Sequence, residues 1–78
     1  MNNSKYVING KTFEYTDLME SFDCVWRQLR SASERSAKDK ARAADFCLKC
    51  ADAGICSPRT AASVRKVCTG ILQLAAKG

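Results

Sequence analysis

SAKDKARAADFCLKCADAGICSP, residues 36–58, is the stretch that decides the fold. Ser36 stands three residues before Asp39, the spacing of an N-cap, and an apolar pattern of helical period follows. Ala37, Ala41, Ala44, Leu48 and Ala51 make one seam. Ala43, Phe46, Cys47, Cys50 and Ala53 make a second. Only Lys38, Arg42, Asp45, Lys49 and Asp52 are left as a narrow polar stripe. A helix apolar around most of its girth is surrounded by other elements, so this one, spanning 36–53, is predicted to lie in the centre. Gly54 is the residue type that ends helices. Ser57-Pro58 then pairs an N-cap with a proline at the first helical position and opens a helix over 57–76.

Upstream, Tyr6-Val7-Ile8 and Thr12-Phe13-Glu14-Tyr15 flank Asn9-Gly10. This is the strongest short-range signal for a two-residue hairpin turn. It predicts a β-hairpin over 5–15 with Val7 opposite Thr12 and Tyr6 opposite Phe13. Tyr6, Ile8, Phe13 and Tyr15 share its apolar face. Asp17-Leu18-Met19-Glu20 has capping-box spacing and predicts a helix over 17–32, with Leu18, Phe22, Val25, Leu29 and Ala32 inward and Trp26 and Met19 at the edge. In the last helix Ala61, Val64, Val67, Cys68, Ile71, Leu72, Leu74 and Ala75 read as inward. Arg59, Ser63, Lys66, Gly70, Gln73 and Lys77 read as outward. The expectation is one α+β domain over 1–78, mostly helical: a two-stranded hairpin packed on a three-helix bundle with the second helix central.

Composition narrows the chemistry. Ala and Cys supply nearly half of the 46% apolar fraction, so the core of this 78-residue chain is thin. The chain has no His, which excludes a hydrolase built on that base. It has neither a Gly-rich phosphate loop nor clustered carboxylates. These features predict a protein that is not an enzyme and uses no cofactor. No apolar run is long enough to span a bilayer and no apolar stretch follows Met1, so the expected location is the cytoplasm, away from membranes.

Five cysteines without a secretory signal read as reduced thiols. Cys47-Leu48-Lys49-Cys50 is a CxxC, and with Cys56 and Cys68 it offers four sulfurs to zinc. Its mid-helix position favours another role, that of small hydrophobes in the core. A zinc-stapled adaptor is the lesser alternative. Cys24 falls on the outer side of the first helix, as a surface thiol or one that a partner covers.

Charge is unevenly placed. Residues 1–26 hold two Lys against four acids; residues 27–78 hold eleven bases against four acids, and none of those acids follows Asp52. Such asymmetry points to an acidic protein surface or to nucleic acid. Salt bridging at i,i+4 between Asp23 and Arg27, Glu34 and Lys38, Arg35 and Asp39, and Asp45 and Lys49 accounts for some bases. It does not account for Arg30, Lys40 or Arg42, nor for Arg59, Arg65 and Lys66, which have no acid nearby in sequence.

Two groups of candidate binding residues follow. Trp26, Arg27, Arg30, Arg35, Lys38 and Arg42 gather around the first helix and its connection to the second, and Trp and Arg are frequent hot-spot types; the plainer role for Trp26 is to cover the hairpin. Arg59, Ser63, Lys66, Gly70 and Lys77 line the outer stripe of the third helix, where Gly70 allows a close approach.

The second and third helices with Ala53-Gly54-Ile55-Cys56 between them resemble a helix-turn-helix. That resemblance implies a DNA-binding regulator reading the groove with Ser57, Arg59, Thr60 and Ser63, and holding phosphates with Arg30, Arg42 and Lys49. The chain departs from the motif where Thr60 and Ser63 occupy positions it keeps apolar. In size and absence of family motif the chain is similar to accessory proteins of phages and mobile elements, such as anti-CRISPR and other anti-defence inhibitors. That similarity implies a small module that docks on and inhibits or modulates a larger, nucleic-acid-handling protein. A homodimer is a further expectation, since a second copy can cover one seam of the central helix.

Overall fold

The computed structural model describes residues 5–31 and 36–77. The chain runs through β1 (Lys5–Ile8), β2 (Lys11–Glu14), α1 (Tyr15–Arg30), α2 (Ala37–Asp52) and α3 (Pro58–Lys77). This is the expected hairpin followed by three helices, with α2 packed against both α1 and α3.

Asn9 and Gly10 both take positive φ, 54° and 80°, as a hairpin turn matched to strand twist requires. The register follows: Lys5 pairs with Glu14, Tyr6 with Phe13, Val7 with Thr12 and Ile8 with Lys11. Ile8 is buried and Val7 lies on the open side. The Phe13 ring meets Phe46 of α2 edge-on at 6.1 Å. Lys49 of α2 donates to the Asn9 side chain and pairs with Asp45 at 3.1 Å. The hairpin is thus fastened to α2 by one aromatic contact and one polar one.

The start of α1 differs from expectation. The helix begins at Tyr15, two residues early, with Glu14 as an N-cap whose side chain makes no capping bond. Asp17 therefore lies within the first turn rather than capping it. Strand passes into helix with no intervening loop, so Tyr15 leaves the hairpin face and lies 6.2 Å from the Tyr6 ring, partly exposed. The buried stripe of α1 is also rotated. It consists of Leu18, Phe22 and Trp26, while Val25 and Leu29 are half-buried. The Trp26 and Phe22 rings stack at 6.4 Å and 8°, which pulls the largest side chain inward in place of Val25. Expected α1 residue Ala32 lies outside the described residues, as do Glu34 and Arg35 with the ion pairs assigned to them.

At α2 and α3 the caps form where their spacing placed them. Ser36 accepts from the Asp39 N–H, and Ser57 Oγ accepts from the Thr60 N–H at 3.2 Å. Gly54 takes φ 80° past the end of α2. Ala43, Ala44, Cys47, Cys50 and Ala51 of α2 are buried, and all of these but Ala43 share one core with Ala61, Val64 and Cys68 of α3. Both seams of α2 are thus covered largely by elements of the same chain. Two residues expected inward on α3 face out: Val67 is 39% exposed and Leu74 72%. α2 is shorter than α3, and the buried residues of α3 are confined to the 61/64/68 face.

Two glycines allow a test of this backbone. A Cβ at Gly54 or at Gly70 meets no atom within 4 Å, so only conformation separates them. Gly54→Ala should destabilise by about 1–2 kcal/mol, the cost of a left-handed L-residue. Gly70→Ala, inside α3, should stabilise by about 1 kcal/mol. Urea denaturation of the two variants checks the opposite signs.

Candidate functional site

α1 and α3 each pack on α2 but approach each other only sparsely. The hairpin sits against α1 and α2, leaving the side between α1 and α3 open. Two adjoining clefts run along it. One, of 460 Å³, is lined by Met19, Glu20, Phe22 and Asp23 of α1 and by Ile55 and Cys56 of the turn. The other, of 450 Å³, is lined by Trp26 and Arg30 of α1 and by Arg59, Thr60, Ser63 and Val67 of α3. Trp26 and Thr60 border both clefts.

The groove has an apolar floor and two electrically different ends. Trp26 is 8% exposed, and the Arg30 guanidinium lies over its ring at 5.9 Å. Glu20 and Asp23 mark one end, Arg30 and Arg59 the other. No carboxylate among the described residues forms an ion pair with Arg30 or Arg59. Asp23 is engaged by Arg27 at 3.2 Å.

Two groups of candidate residues that are separate in sequence therefore meet. Trp26 and Arg30 from the first group face Arg59 and Ser63 from the second. Trp26 lines this groove opposite α3 and belongs to the same core cluster as Ile8 of the hairpin. Lys66 is exposed on α3 beyond the groove lining, with Gly70 and Lys77 further along the helix. Lys38 and Arg42 are exposed on α2 and are not part of the groove. Arg35 lies outside the described residues. Arg65, which has no acid nearby in sequence, reaches Asp52 of α2 at 3.3 Å. Met19, expected at the edge of α1 beside Trp26, lines the groove; Val67, expected inward, lines it as well.

The far ends of α2 and α3 also meet. Ala37 and Lys40 share a small cleft with Ile71, Leu74 and Ala75. The two helices run alongside each other as an antiparallel hairpin, whereas a helix-turn-helix crosses at about 90–120°. Thr60, assigned to base contacts by that resemblance, receives its neighbouring cap bond from Ser57 at 3.0 Å and borders Trp26.

The cysteines divide by position. Cys47, Cys50 and Cys68 are fully buried, Cys56 is half-buried and Cys24 is exposed. Cys47 and Cys68 hydrogen-bond to each other across α2 and α3, and this bond, with burial, holds the Cys47 thiol far above its ordinary range. Burial pushes Cys50 up to about 12. It also raises Cys56, against the opposing pull of Arg65. Among the described residues no three Cys, Asp or Glu side chains converge as metal ligands. On Cys24 the Gln28 amide donates to the sulfur at 3.6 Å.

No protein-family model matches the chain, and the comparisons with curated proteins and with solved structures likewise give no match. No helix among the described residues is long and apolar enough to cross a membrane.

The thiols supply the test of this arrangement. In the folded protein a thiol reagent at neutral pH should modify Cys24 first and Cys56 slowly. Cys47, Cys50 and Cys68 should react only on unfolding. The sign of the pH dependence follows from Cys50. Its folded value lies above the ordinary 9.0, so the unfolded chain loses that proton first and stability falls as pH rises above about 9. Urea midpoints on either side of that pH check the direction.

Proposed function

We propose that this chain is a basic protein-binding module that docks on, and inhibits or modulates, a larger nucleic-acid-handling protein, and that it is not an enzyme. The observation that carries this reading is the groove between α1 and α3, where Arg30 lies over the Trp26 ring and Arg59 lines the same cleft, neither cation ion-paired among the described residues. A large aromatic at the centre of a concave surface with arginines at its margin is the composition of an interface hot spot. The partner surface is acidic, because the exposed bases of α3 have Asp52 alone as an ionic partner among the described residues. The small size and absence of family motif agree with an accessory protein of a phage or mobile element acting in the cytoplasm.

The helix-turn-helix regulator is the competing reading, and two features oppose it. α2 and α3 lie antiparallel along their length, and Glu20 and Asp23 at one end of the groove repel phosphate.

The experiment is light scattering of the purified chain with random duplex DNA across a salt series. A docking module should form no stable complex at moderate salt. A complex whose affinity falls steeply with log salt, and which Arg59→Ala with Lys66→Ala abolishes, would establish the regulator instead.

A further inference from the structure

We infer that the groove between α1 and α3 receives one amphipathic α-helix of a partner protein, with acidic residues at the end that meets Arg30 and Arg59. This rests on the protein-binding reading above and specifies the ligand. The first argument is shape. α2 touches both α1 and α3, the hairpin closes the α1–α2 side, and α1 and α3 barely meet. The three helices occupy three corners of a four-helix arrangement, with the open corner opposite α2. From Met19 to Arg30 the α1 wall is about 16 Å long at the helical rise per residue, enough for three turns of a docked helix.

The second argument is surface chemistry. The floor offers Phe22, Trp26 and Val67, which match apolar anchors at i, i+3/i+4 and i+7. Arg30 and Arg59 lie at one end without carboxylate partners among the described residues. Glu20 and Asp23 lie at the other. This polarity fixes where the acids of the docked helix fall. A nucleic acid fits less well, since its uniform phosphates would meet the Glu20 carboxylate at the other end. A second copy fits poorly, since the exposed face it would offer from α3 carries Arg59, Lys66 and Lys77 and no acid, placing like charges together.

Trp26 is the sole tryptophan, so its emission reports groove occupancy directly. The test is selection from a displayed library of random peptides of about 16 residues, long enough for such a helix. It is run on the wild-type chain and on the Arg30→Glu, Arg59→Glu double variant. Both sites are exposed, and circular dichroism confirms that each variant is folded. Peptides enriched on the wild type should be acidic with helical apolar spacing, and should shift Trp26 emission. Arg30→Glu with Arg59→Glu should weaken them about tenfold or more, as should Val67→Asp. Selection on the double variant should enrich basic peptides instead.

Enriched peptides without helical spacing or acidic bias would overturn the inference. So would binding that neither the double variant nor Val67→Asp changes; protein binding would then stand, at another surface. Failure to enrich any peptide overturns the groove assignment. Joined to a salt-sensitive DNA complex, that failure overturns the protein-binding reading as well. A wild-type dimer that Val67→Asp dissociates would identify the occupant as a second copy.

Discussion

The close packing of α2 on α3 is the contact on which the rest of the molecule depends. The α2 side of it is built of Ala44, Cys47, Cys50 and Ala51, and the α3 side of Ala61, Val64 and Cys68. Only Leu18 and Val64 among the fully buried side chains are larger than cysteine. A seam of such small groups stabilises little per residue through area alone, because the gain scales with apolar surface removed from water. It gains instead from close approach, which multiplies dispersion contacts along two helices. Cysteine serves here as a small, polarizable hydrophobe. Cys47, Cys50 and Cys68 fill the seam as fully buried free thiols, without introducing a charge.

That packing dictates the arrangement of everything else. With α2 committed to α3 through alanine and cysteine, the larger apolar side chains lie elsewhere. Phe13, Phe46, Phe22 and Trp26 bring the hairpin and α1 onto the remaining surface. The hairpin needs this support, since two strands alone are marginal in water. Lys49 ties its turn to α2. Because the hairpin takes the α1–α2 side, no element among the described residues fills the α1–α3 side. The groove is a consequence of five elements sharing a core too small to close all its faces.

Much of this was legible in the sequence, where a local rule sufficed. Asn9-Gly10 specified the turn and hence the register. Ser36 and Ser57 marked helix starts, and Gly54 an end. Period alone identified α2 as central. What failed depended on contacts between elements. The start of α1 shifted because strand and helix join without a loop, a tertiary constraint that displaced the Asp17 capping box. Trp26 replaced Val25 in the core because it stacks on Phe22, which a helical wheel does not reveal. Arg65 found Asp52 across thirteen residues, beyond any i,i+4 rule. The groove itself was hidden for the same reason. Trp26 with Arg30, and Arg59 with Ser63, were each visible as patches, but their meeting depends on the rotation of α1 and α3 about α2.

The charge asymmetry of the chain takes on a physical meaning in this geometry. Acids and bases that neighbour each other pair locally, as Asp23 does with Arg27 and Asp45 with Lys49. These exposed pairs are worth little to stability. Among the described residues the one acid that reaches the bases of α3 is Asp52, at the foot of α2. The rest of α3 is left positive beside an open apolar groove, with Val67 and Leu74 exposed and a glycine at position 70 that weakens the helix. A chain selected for stability alone would gain by replacing Gly70 and by burying or removing Leu74. With them in place, α3 keeps exposed apolar side chains at Val67 and Leu74 beside its cations.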